Sequence, residues 1–412
     1  MVHSINSFVN CCTNGGTDAG SVNDVGGAPV HLPGLFASDL RIDCGAPNQT
    51  PATDDDFVSW LTDENFVNAG KNHLLSYSQN FSTMNSLRYF PDGQKNCYFL
   101  PFDSLGTKFL FRAGFYYGNY DGLSKPPSFN LGIDGNLWVT VTTNSMPKDE
   151  PIYHEMIYWT KGDSAQVCLE QTGDGIPFIS SLEATEIILN DMYRLMDNKT
   201  ALLLHSRINY GANKSIERLI GHKDDWFNRI WKSREMPEYH SIVSGIIADG
   251  TMYGENNPPW PVMETAIQAK KVSDSIYLSI NFSTQTNAVA YFVLYFRDPL
   301  SRFPENRIAQ VEIFIDSKKL GATDVPPYYS RRPDMFRVVS LYPVQVDGSA
   351  NITISPAKNS TLAPLLNAME VFSVVNMPYM SKAGYLPNLS VVSFLVFLHV
   401  LSIVVSAIEL YL

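Results

Sequence analysis

Hydrophobic and polar residues alternate along most of the chain in short runs, which end at glycine, proline, asparagine or aspartate. The clearest run is KFLFRAGFYYG at 108–118, and similar runs are LWVTVTT at 137–143, SIYLSINFS at 275–283 and AQVEIFID at 309–316. A period of two residues places successive side chains on opposite faces of a β-strand. The pattern therefore predicts an all-β protein built of short, mostly antiparallel strands.

The stretch KFLFRAGFYYGNYDG at 108–122 is predicted to have two faces with different roles. One face holds Phe109, Phe111, Ala113, Phe115 and Tyr117, and the other holds Leu110, Arg112, Gly114 and Tyr116. We expect the aromatic row to lie in the core, because buried rings stabilise a β-sandwich strongly. Core packing does not account for Tyr116 on the outer face, or for Asn119, Tyr120 and Asp121 in the following loop, where sandwiches commonly have their sites.

Four short motifs occur twice in the same order along the chain. RIDCG at 41–45 returns as RINYG at 207–211, FLFRAGFYYG at 109–118 as AVAYFVLYFRD at 288–298, GID ending at Asp134 as FID ending at Asp316, and PFISSLEATEI at 177–187 as PLLNAMEVFSV at 364–374. Collinear matches of this kind predict a tandem duplication. The last pair of motifs aligns Glu183 with Glu370.

The duplication predicts two antiparallel β-sandwich domains of jelly-roll type. We expect the following organisation: an unstructured N-terminal segment at 1–37, domain 1 at 38–188, a linker at 189–202, domain 2 at 203–376, and a tail at 377–412 with a hydrophobic C-terminal segment.

Charge and motif content argue against several function classes. The formal net charge is −11 and the chain has no basic stripe, so we expect no nucleic-acid partner. Nucleotide-binding, serine-hydrolase and zinc-protease motifs are absent from the sequence, and no two cysteines are spaced as CxxC. The carboxylates considered for glycoside hydrolysis are Glu155, Asp163, Asp174 and Glu183. Because Glu183 is repeated as Glu370, we interpret it as structural, and we predict a non-enzyme without cofactor or metal.

The chain has five cysteines, at positions 11, 12, 44, 97 and 168, which allow at most two disulfides. Pairing among Cys44, Cys97 and Cys168 is left open. Eight glycosylation sequons are spread over the chain, at Asn48, Asn80, Asn198, Asn213, Asn281, Asn351, Asn359 and Asn388. Their spread favours a glycoprotein outside the cytoplasm.

The two ends of the chain give different indications about targeting. The start, MVHSINSFVNCCTNGG, has no signal-peptide pattern, and we favour a defective gene start as the explanation. Residues 389–412 are hydrophobic and long enough to span a bilayer. Three interpretations of that segment stay open: a membrane anchor, a lipid-anchor signal, and read-through sequence.

The motifs RIDCGAP, LRYFPDGQKNCYFLPF, KFLFRAGFYYGNYDGL, GIPFISSLEA and DDWFNRIW make residues 39–376 similar to the plant malectin-like extracellular region. The resemblance implies a tandem pair of malectin-like β-sandwiches, as in the ectodomain of many receptor-like kinases. It implies a cell-wall glycan or a secreted peptide as ligand, with a co-receptor as a further candidate partner. The chain departs from those receptors because its sequence contains no leucine-rich repeats and no kinase motifs.

Two functions follow from this resemblance. The first is a non-catalytic extracellular module that binds carbohydrate or peptide in cell-wall sensing, either secreted or at the outer face of the plasma membrane. Its candidate ligand-binding residues are Tyr116, Tyr117, Asn119, Tyr120 and Asp121, since aromatic rings stack on sugars and Asn or Asp holds hydroxyls. The alternative is a structural or protein-interaction module, a truncated receptor fragment that binds no sugar.

Overall fold

The computed structural model describes residues 39–49, 59–75, 82–143, 150–173, 175–189, 191–216, 225, 227–244, 254–282, 287–300, 308–327 and 335–377. Almost every regular element in these ranges is a β-strand. The first half contains β1 (Asp39–Asp43), β2 (Leu61–Thr62), β3 (Lys71–Leu74), β4 (Ser86–Tyr89), β5 (Lys95–Pro101), β6 (Lys108–Phe115), β7 (Ser128–Ile133), β8 (Asn136–Thr142), β9 (Ile152–Trp159), β10 (Ser164–Gln171), β11 (Phe178–Ile179) and β12 (Ser181–Glu186). Two 3₁₀ turns lie at Asp63–Asn65 and Ser82–Met84.

The second half repeats this list. It contains β13 (Thr200–Tyr210), β14 (Lys232–Arg234), β15 (His240–Val243), β16 (Thr265–Gln268), β17 (Ile276–Asn281), β18 (Ala288–Phe296), β19 (Gln310–Ile315), β20 (Lys318–Asp324), β21 (Arg337–Val346), β22 (Ser349–Pro356), β23 (Leu365–Leu366) and β24 (Ala368–Asn376). One short α-helix, α1, spans Trp260–Met263.

The sheet order shows that every strand of the first half has a counterpart twelve strands later. A four-stranded sheet β5-β10-β7-β8 corresponds to β17-β22-β19-β20, and a three-stranded sheet β11-β4-β3 corresponds to β23-β16-β15. The larger layer, β2-β1-β12-β6-β9, corresponds to β14-β13-β24-β18-β21. The predicted all-β fold with two tandem jelly-roll sandwiches is therefore confirmed.

The two larger layers are joined into one ten-stranded sheet. The connection is the antiparallel pairing of β9 with β13, in which Ala201 lies opposite Tyr158 and Leu203 opposite Met156. Backbone hydrogen bonds therefore run from one half to the other without interruption. Residues of the predicted linker 189–202 pack against this sheet, with Met192 and Tyr193 fully buried, and β13 begins inside it. The exact domain limits stay a prediction, and 1–37 and 378–412 lie outside the described residues.

Backbone conformations at repeated residues show how closely the halves match. Gly45 and Gly211 have φ of +75° and +76°, and a Cβ there would lie 2.1 Å from the Leu87 carbonyl oxygen and 2.3 Å from that of Ala266. Only glycine fits such a positive φ with so close a backbone neighbour. Glu183 lies opposite Arg41 in the β1–β12 pair, and Glu370 lies opposite Arg207 in the β13–β24 pair. The alignment predicted from the motifs is thus confirmed in the strand register.

The core of the first half contains the aromatic row predicted for β6. The ring of Phe109 stacks on Phe102 with centroids 4.2 Å apart, and Phe115 contacts Phe129 at 5.8 Å and Phe178 at 6.2 Å. The expectation that the other face of β6 is an outer face is wrong. Every residue of β6 is buried, because a second apolar cluster covers that side of the ten-stranded sheet; it includes Leu110, Met192, Tyr193, Trp231, Trp260 and Phe372.

The disulfide left open by the sequence joins Cys97 and Cys168. These residues lie directly opposite each other in the β5–β10 pair, so the strand register selects this pairing over the alternatives. Cys44 is a buried thiol, and Cys11 and Cys12 lie outside the described residues.

Candidate functional site

The loop after β6 holds the five residues predicted to bind a ligand, and the first two of them are buried. Tyr116 is 4% exposed and Tyr117 is 8% exposed. The backbone N–H of Tyr116 donates to the Ser180 hydroxyl oxygen at 3.2 Å. The predicted outward position of Tyr116 is therefore corrected, since only 4% of this residue is exposed.

Asn119 and Asp121 fix the conformation of the loop itself. The Oδ1 of Asn119 accepts hydrogen bonds from the Tyr117 hydroxyl (3.3 Å) and the Ser124 N–H (2.8 Å). The Oδ1 of Asp121 accepts from the Tyr117 hydroxyl and from the Leu123 N–H (3.0 Å). Asn119 has φ of +53°, a conformation that asparagine tolerates better than most residues. These bonds restrain the conformation of the loop.

Of the three tyrosines predicted to bind a ligand, Tyr120 has a partly exposed ring. Its ring centroid lies 5.4 Å from Tyr89 and 6.2 Å from His73, and on its inner side 5.3 Å from Phe178. Its hydroxyl donates to the Ile176 carbonyl at 2.9 Å. Burial, together with the nearby Asp121 carboxylate, raises the pKa of Tyr120 well above its usual value, so the hydroxyl stays a donor at physiological pH.

We name His73, Tyr89, Tyr120 and Asp121 the aromatic surface. All four are partly exposed. Among the described residues, both hydrogen bonds of the Asp121 side chain use Oδ1, which leaves acceptor capacity at Oδ2. His73 lies on β3 and Tyr89 on β4, which pair with each other and pack beside the loop. Sequence reasoning missed these two rings, because a contact between residues so distant in sequence leaves no local pattern.

The candidate glycosidase carboxylates do not converge on a cleft. Arg112 Nε donates to Glu155 Oε1 at 2.9 Å and Arg112 Nη1 to Glu183 Oε2 at 3.2 Å. Although burial alone raises the pKa of Glu155, Arg112 and Arg207 hold it at about 2. Asp163 is exposed in a turn, and Asp174 lies outside the described residues. The buried carboxylates therefore belong to ion pairs within the sheet.

The same ion pairs connect the two halves. Arg207 of β13 donates through Nη1 to Glu155 Oε2 at 2.7 Å and through Nε to Glu370 Oε1 at 2.6 Å. We name Arg112, Glu155, Arg207 and Glu370 the seam network; all four are buried. Tyr193 and Tyr295 also donate to Glu370, at 3.1 and 2.6 Å. The opposite charges of these groups compensate one another, as buried charges require, although Arg207 Nη2 has no hydrogen-bond partner among the described residues.

A groove of about 780 Å³ lies between the end of β9 in the first half and two segments of the second half, the turn before β13 and the end of β24. It is lined by Gly106, Trp159, Thr160, Lys161, Asn198, Lys199, Asn376 and Met377. The Lys161 Nζ donates to the Asn198 carbonyl at 2.7 Å and thereby ties the two sides together.

Surface features bear on the remaining sequence predictions. The sequon asparagines at 48, 198, 213, 281, 351 and 359 are exposed, whereas Asn80 and Asn388 lie outside the described residues.

Within the described ranges, no group of three or more His, Cys, Asp or Glu residues could hold a metal ion. In those same ranges no helix has the length and hydrophobicity needed to cross a membrane, and 389–412 is not among them.

Known proteins with similar sequences are plant receptor kinases. The probable LRR receptor-like serine/threonine-protein kinase MEE39 of Arabidopsis thaliana is 28% identical over 346 residues, covering 82% of this chain and 38% of the kinase. A putative leucine-rich repeat receptor-like kinase of the same plant is 31% identical over 356 residues, covering 82% of this chain and 37% of the relative. The chain thus spans less than two-fifths of the length of these relatives.

Solved structures with a similar fold are also plant receptor ectodomains. The ANX2 ectodomain from Arabidopsis thaliana superposes with a TM-score of 0.62 at 14% identity, covering 82% of this chain and 97% of that one. A chain from the complex of the plant peptide RALF23 with FER and LLG2 superposes with a TM-score of 0.60 at 15% identity, covering 82% and 95%. At these identities the likeness establishes the fold. The sequence model of the Malectin-like domain matches residues 42–374, and the chain belongs to that family.

Proposed function

We propose that this protein is a non-catalytic extracellular module that binds a cell-wall glycan or a secreted peptide through the aromatic surface. The proposal rests on one observation above all: the partly exposed ring of Tyr120, next to the Asp121 carboxylate, lies 5.4 Å from the ring of Tyr89 and 6.2 Å from that of His73. A ring cluster of this kind offers an apolar platform with a polar edge. Malectin-like ectodomains of receptor kinases provide the family context.

The chemistry of the platform fits a sugar or an extended peptide. The apolar face of a pyranose ring, or a peptide side chain, can stack on Tyr120 while the Asp121 Oδ2 accepts a hydroxyl or amide hydrogen. The internal bonds of Asn119 and Asp121 hold the loop in place, so binding requires little loss of conformational entropy. In this proposal Tyr116 and Tyr117 support the loop from below, and Tyr120 and Asp121 contact the ligand.

A second candidate is a protein-interaction module that binds no sugar. It is favoured by the structural likeness to a receptor chain crystallised with the peptide RALF23 and with LLG2. The internal hydrogen bonds of the loop also favour it, because a purely scaffolding loop needs those bonds as well. A secreted peptide and a co-receptor would then be the partners, at the outer face of the plasma membrane or in the apoplast.

The test compares binding by the native chain with binding by two surface variants. The chain is secreted from plant cells behind a leader and applied to a cell-wall glycan array and to a secreted-peptide library. Asp121→Asn keeps the Oδ1 bonds and removes the charge, and Tyr120→Ala removes the platform. Tyr277→Ala is the control, because Tyr277 is exposed on the second half. The proposal predicts loss of the retained ligand with Tyr120→Ala and not with Tyr277→Ala. Equal binding by all variants would contradict it.

A further inference from the structure

The groove beside β9 contains a glycosylation sequon and an aromatic ring. Asn198 begins the sequon Asn198-Lys199-Thr200 and lies in an exposed turn, and Trp159 lines the same groove. We propose that an N-glycan on Asn198 folds back into this groove, and that its first N-acetylglucosamine units stack on Trp159. The groove would then be filled by the protein's own sugar and would not be open to an external ligand.

The exposed part of Trp159 is suited to a sugar face. Its Nε1 atom is buried, so the portion of the indole that reaches the groove is ring carbon. Lys108 Nζ lies 5.6 Å from the ring centroid, a distance at which an ammonium group interacts with an indole face. Exposed aromatic carbon is costly in water, and the apolar face of a pyranose is a fitting cover for it.

The polar residues of the groove match the substituents of N-acetylglucosamine. Lys161, Lys199 and the Asn376 amide line it, and the lining residues that the structure describes include neither aspartate nor glutamate. These groups donate hydrogen bonds to hydroxyl and N-acetyl oxygens. The volume of about 780 Å³ lies within the usual range of small-ligand sites.

The attachment point is held beside the ring. Lys161 Nζ donates a hydrogen bond to the Asn198 carbonyl at 2.7 Å, and the Lys199 N–H donates to Asp197 Oδ1 at 2.8 Å. Together these two hydrogen bonds fix the turn. A tethered sugar next to its platform binds at a high effective concentration, so even a weak stacking contact is populated. The other described sequons are exposed, and none of their asparagines is among the residues that line this groove.

The experiment is hydroxyl-radical footprinting of the whole chain secreted from cultured cells, read by mass spectrometry. Asn198→Gln removes the sequon, and Thr200→Ser keeps both the sequon and a hydroxyl at residue 200. We expect Trp159 to be oxidised about tenfold faster in Asn198→Gln than in Thr200→Ser, as for loss of one aromatic stacking contact. Trp231, which is fully buried, is the internal reference and should not change.

A second measurement follows the sugar instead of the ring. In the native chain, a peptide N-glycosidase should release the Asn198 glycan about tenfold more slowly than the Asn213 glycan, and Trp159→Ala should abolish that difference. An unoccupied Asn198 would overturn the proposal. Equal Trp159 oxidation with and without the glycan, or equal release at the two asparagines, would overturn it as well. Because the footprinting leaves Trp159 in place, it remains decisive if Trp159→Ala does not fold.

Discussion

Near the end of its first strand, each half has a side-chain hydrogen bond at equivalent positions, but the residues that form the bond differ between the halves. In the first half Asp43 accepts from the Ser86 hydroxyl at 2.6 Å, and in the second half Asn209 accepts from the Thr265 hydroxyl at 2.8 Å. The strand register makes both members of these pairs equivalent. The fold therefore requires an acceptor at this position and does not require a charge.

Two residues after Ser86 on β4, the first half again has a charged residue where the second half has an uncharged one. Arg88 of β4 forms a buried bidentate ion pair with Asp63, at 2.6 and 2.7 Å, whereas its counterpart Ile267 lies in the apolar core. One residue further, the partly exposed Tyr89 corresponds to Gln268, which is buried and donates to the Ala363 carbonyl at 3.1 Å. The aromatic surface consequently has no equivalent in the second half at the position of Tyr89.

The two halves share some features of the duplicated fold and differ in others. The positive-φ glycines, the strand register and the paired glutamates are shared by both halves. Two features belong to the first half: the buried charges next to β1, and the aromatic surface. We infer that the shared features maintain the fold and that the varied ones are where the halves can acquire separate roles.

The largest effect is expected where the two halves meet. Replacing Arg207 by Met removes the cation paired with the buried Glu370 and one of the two cations paired with the buried Glu155, which keeps Arg112. We expect a loss of about 3–5 kcal/mol in the free energy of unfolding. Arg194→Met is the matched control, since Arg194 is 51% exposed in its pair with Glu255 and should cost less than about 1 kcal/mol. Urea unfolding measures both, and equal losses would contradict the role of the seam network.

An equal effect in the two halves is expected for their equivalent core rings. Phe115 ends β6 and Phe296 ends β18, and both are fully buried. Substitution of either by Ala should cost about 3–5 kcal/mol through lost burial and the cavity left behind. Thermal and urea unfolding report the loss. A cost below about 1 kcal/mol at one position would show that the halves do not share the same core geometry.

The position of Asp43 predicts a pH dependence that belongs to the first half. Burial, opposed by the Ser86 hydrogen bond and assisted by nearby Asp63, raises the pKa of Asp43 to about 7. A carboxyl group with a raised folded-state pKa stabilises the fold fully at low pH and loses that contribution as pH rises from about 4 to 7.

Asp43→Asn, which installs the residue of the second half, should remove this decline in stability, measured as the urea midpoint against pH. The variant should be more stable than the native chain above pH 7, because Asn accepts the Ser86 bond without a buried charge. The reverse change, Asn209→Asp, should introduce a decline of the same sign. Parallel pH profiles of native chain and Asp43→Asn would contradict the assignment.

The smallest effect is expected at the aromatic surface. Tyr120→Phe removes the hydrogen bond to the Ile176 carbonyl and keeps the ring contacts with Tyr89 and Phe178. We expect a cost of about 1 kcal/mol in stability, the usual value of one such bond. Ligand binding by stacking should be retained. Loss of binding with unchanged stability would instead assign the hydroxyl to the ligand.

Much of the fold could be predicted from the sequence, because the two halves share residues that their common backbone conformation requires. Glu183 and Glu370, and the glycines at 45 and 211, could be aligned without a structure. The burial of Tyr116 could not be predicted, since alternation separates two faces and does not tell which of them is covered. On that face of β6, residues far along the chain such as Tyr193 and Trp231 pack in one cluster with Leu110.

The residues of the candidate site could be identified from the sequence only in part, for a related reason. The loop at 116–121 stood out because its aromatics and Asp follow a strand directly. His73 and Tyr89 could not be added to it, because β3 and β4 reach the loop through tertiary packing. The disulfide was likewise undetermined until the register set Cys97 against Cys168.

Hydrogen–deuterium exchange of the chain, with and without the glycan or peptide retained in the screen, tests the binding proposal most directly. If the aromatic surface binds the ligand, we expect slower amide exchange on ligand addition at 71–75, 86–89 and 116–124. We expect unchanged exchange at the equivalent strands of the second half, 240–243 and 265–268. Slowing confined to the second half, with the loop after β6 unaffected, would contradict the claim that the aromatic surface binds the ligand.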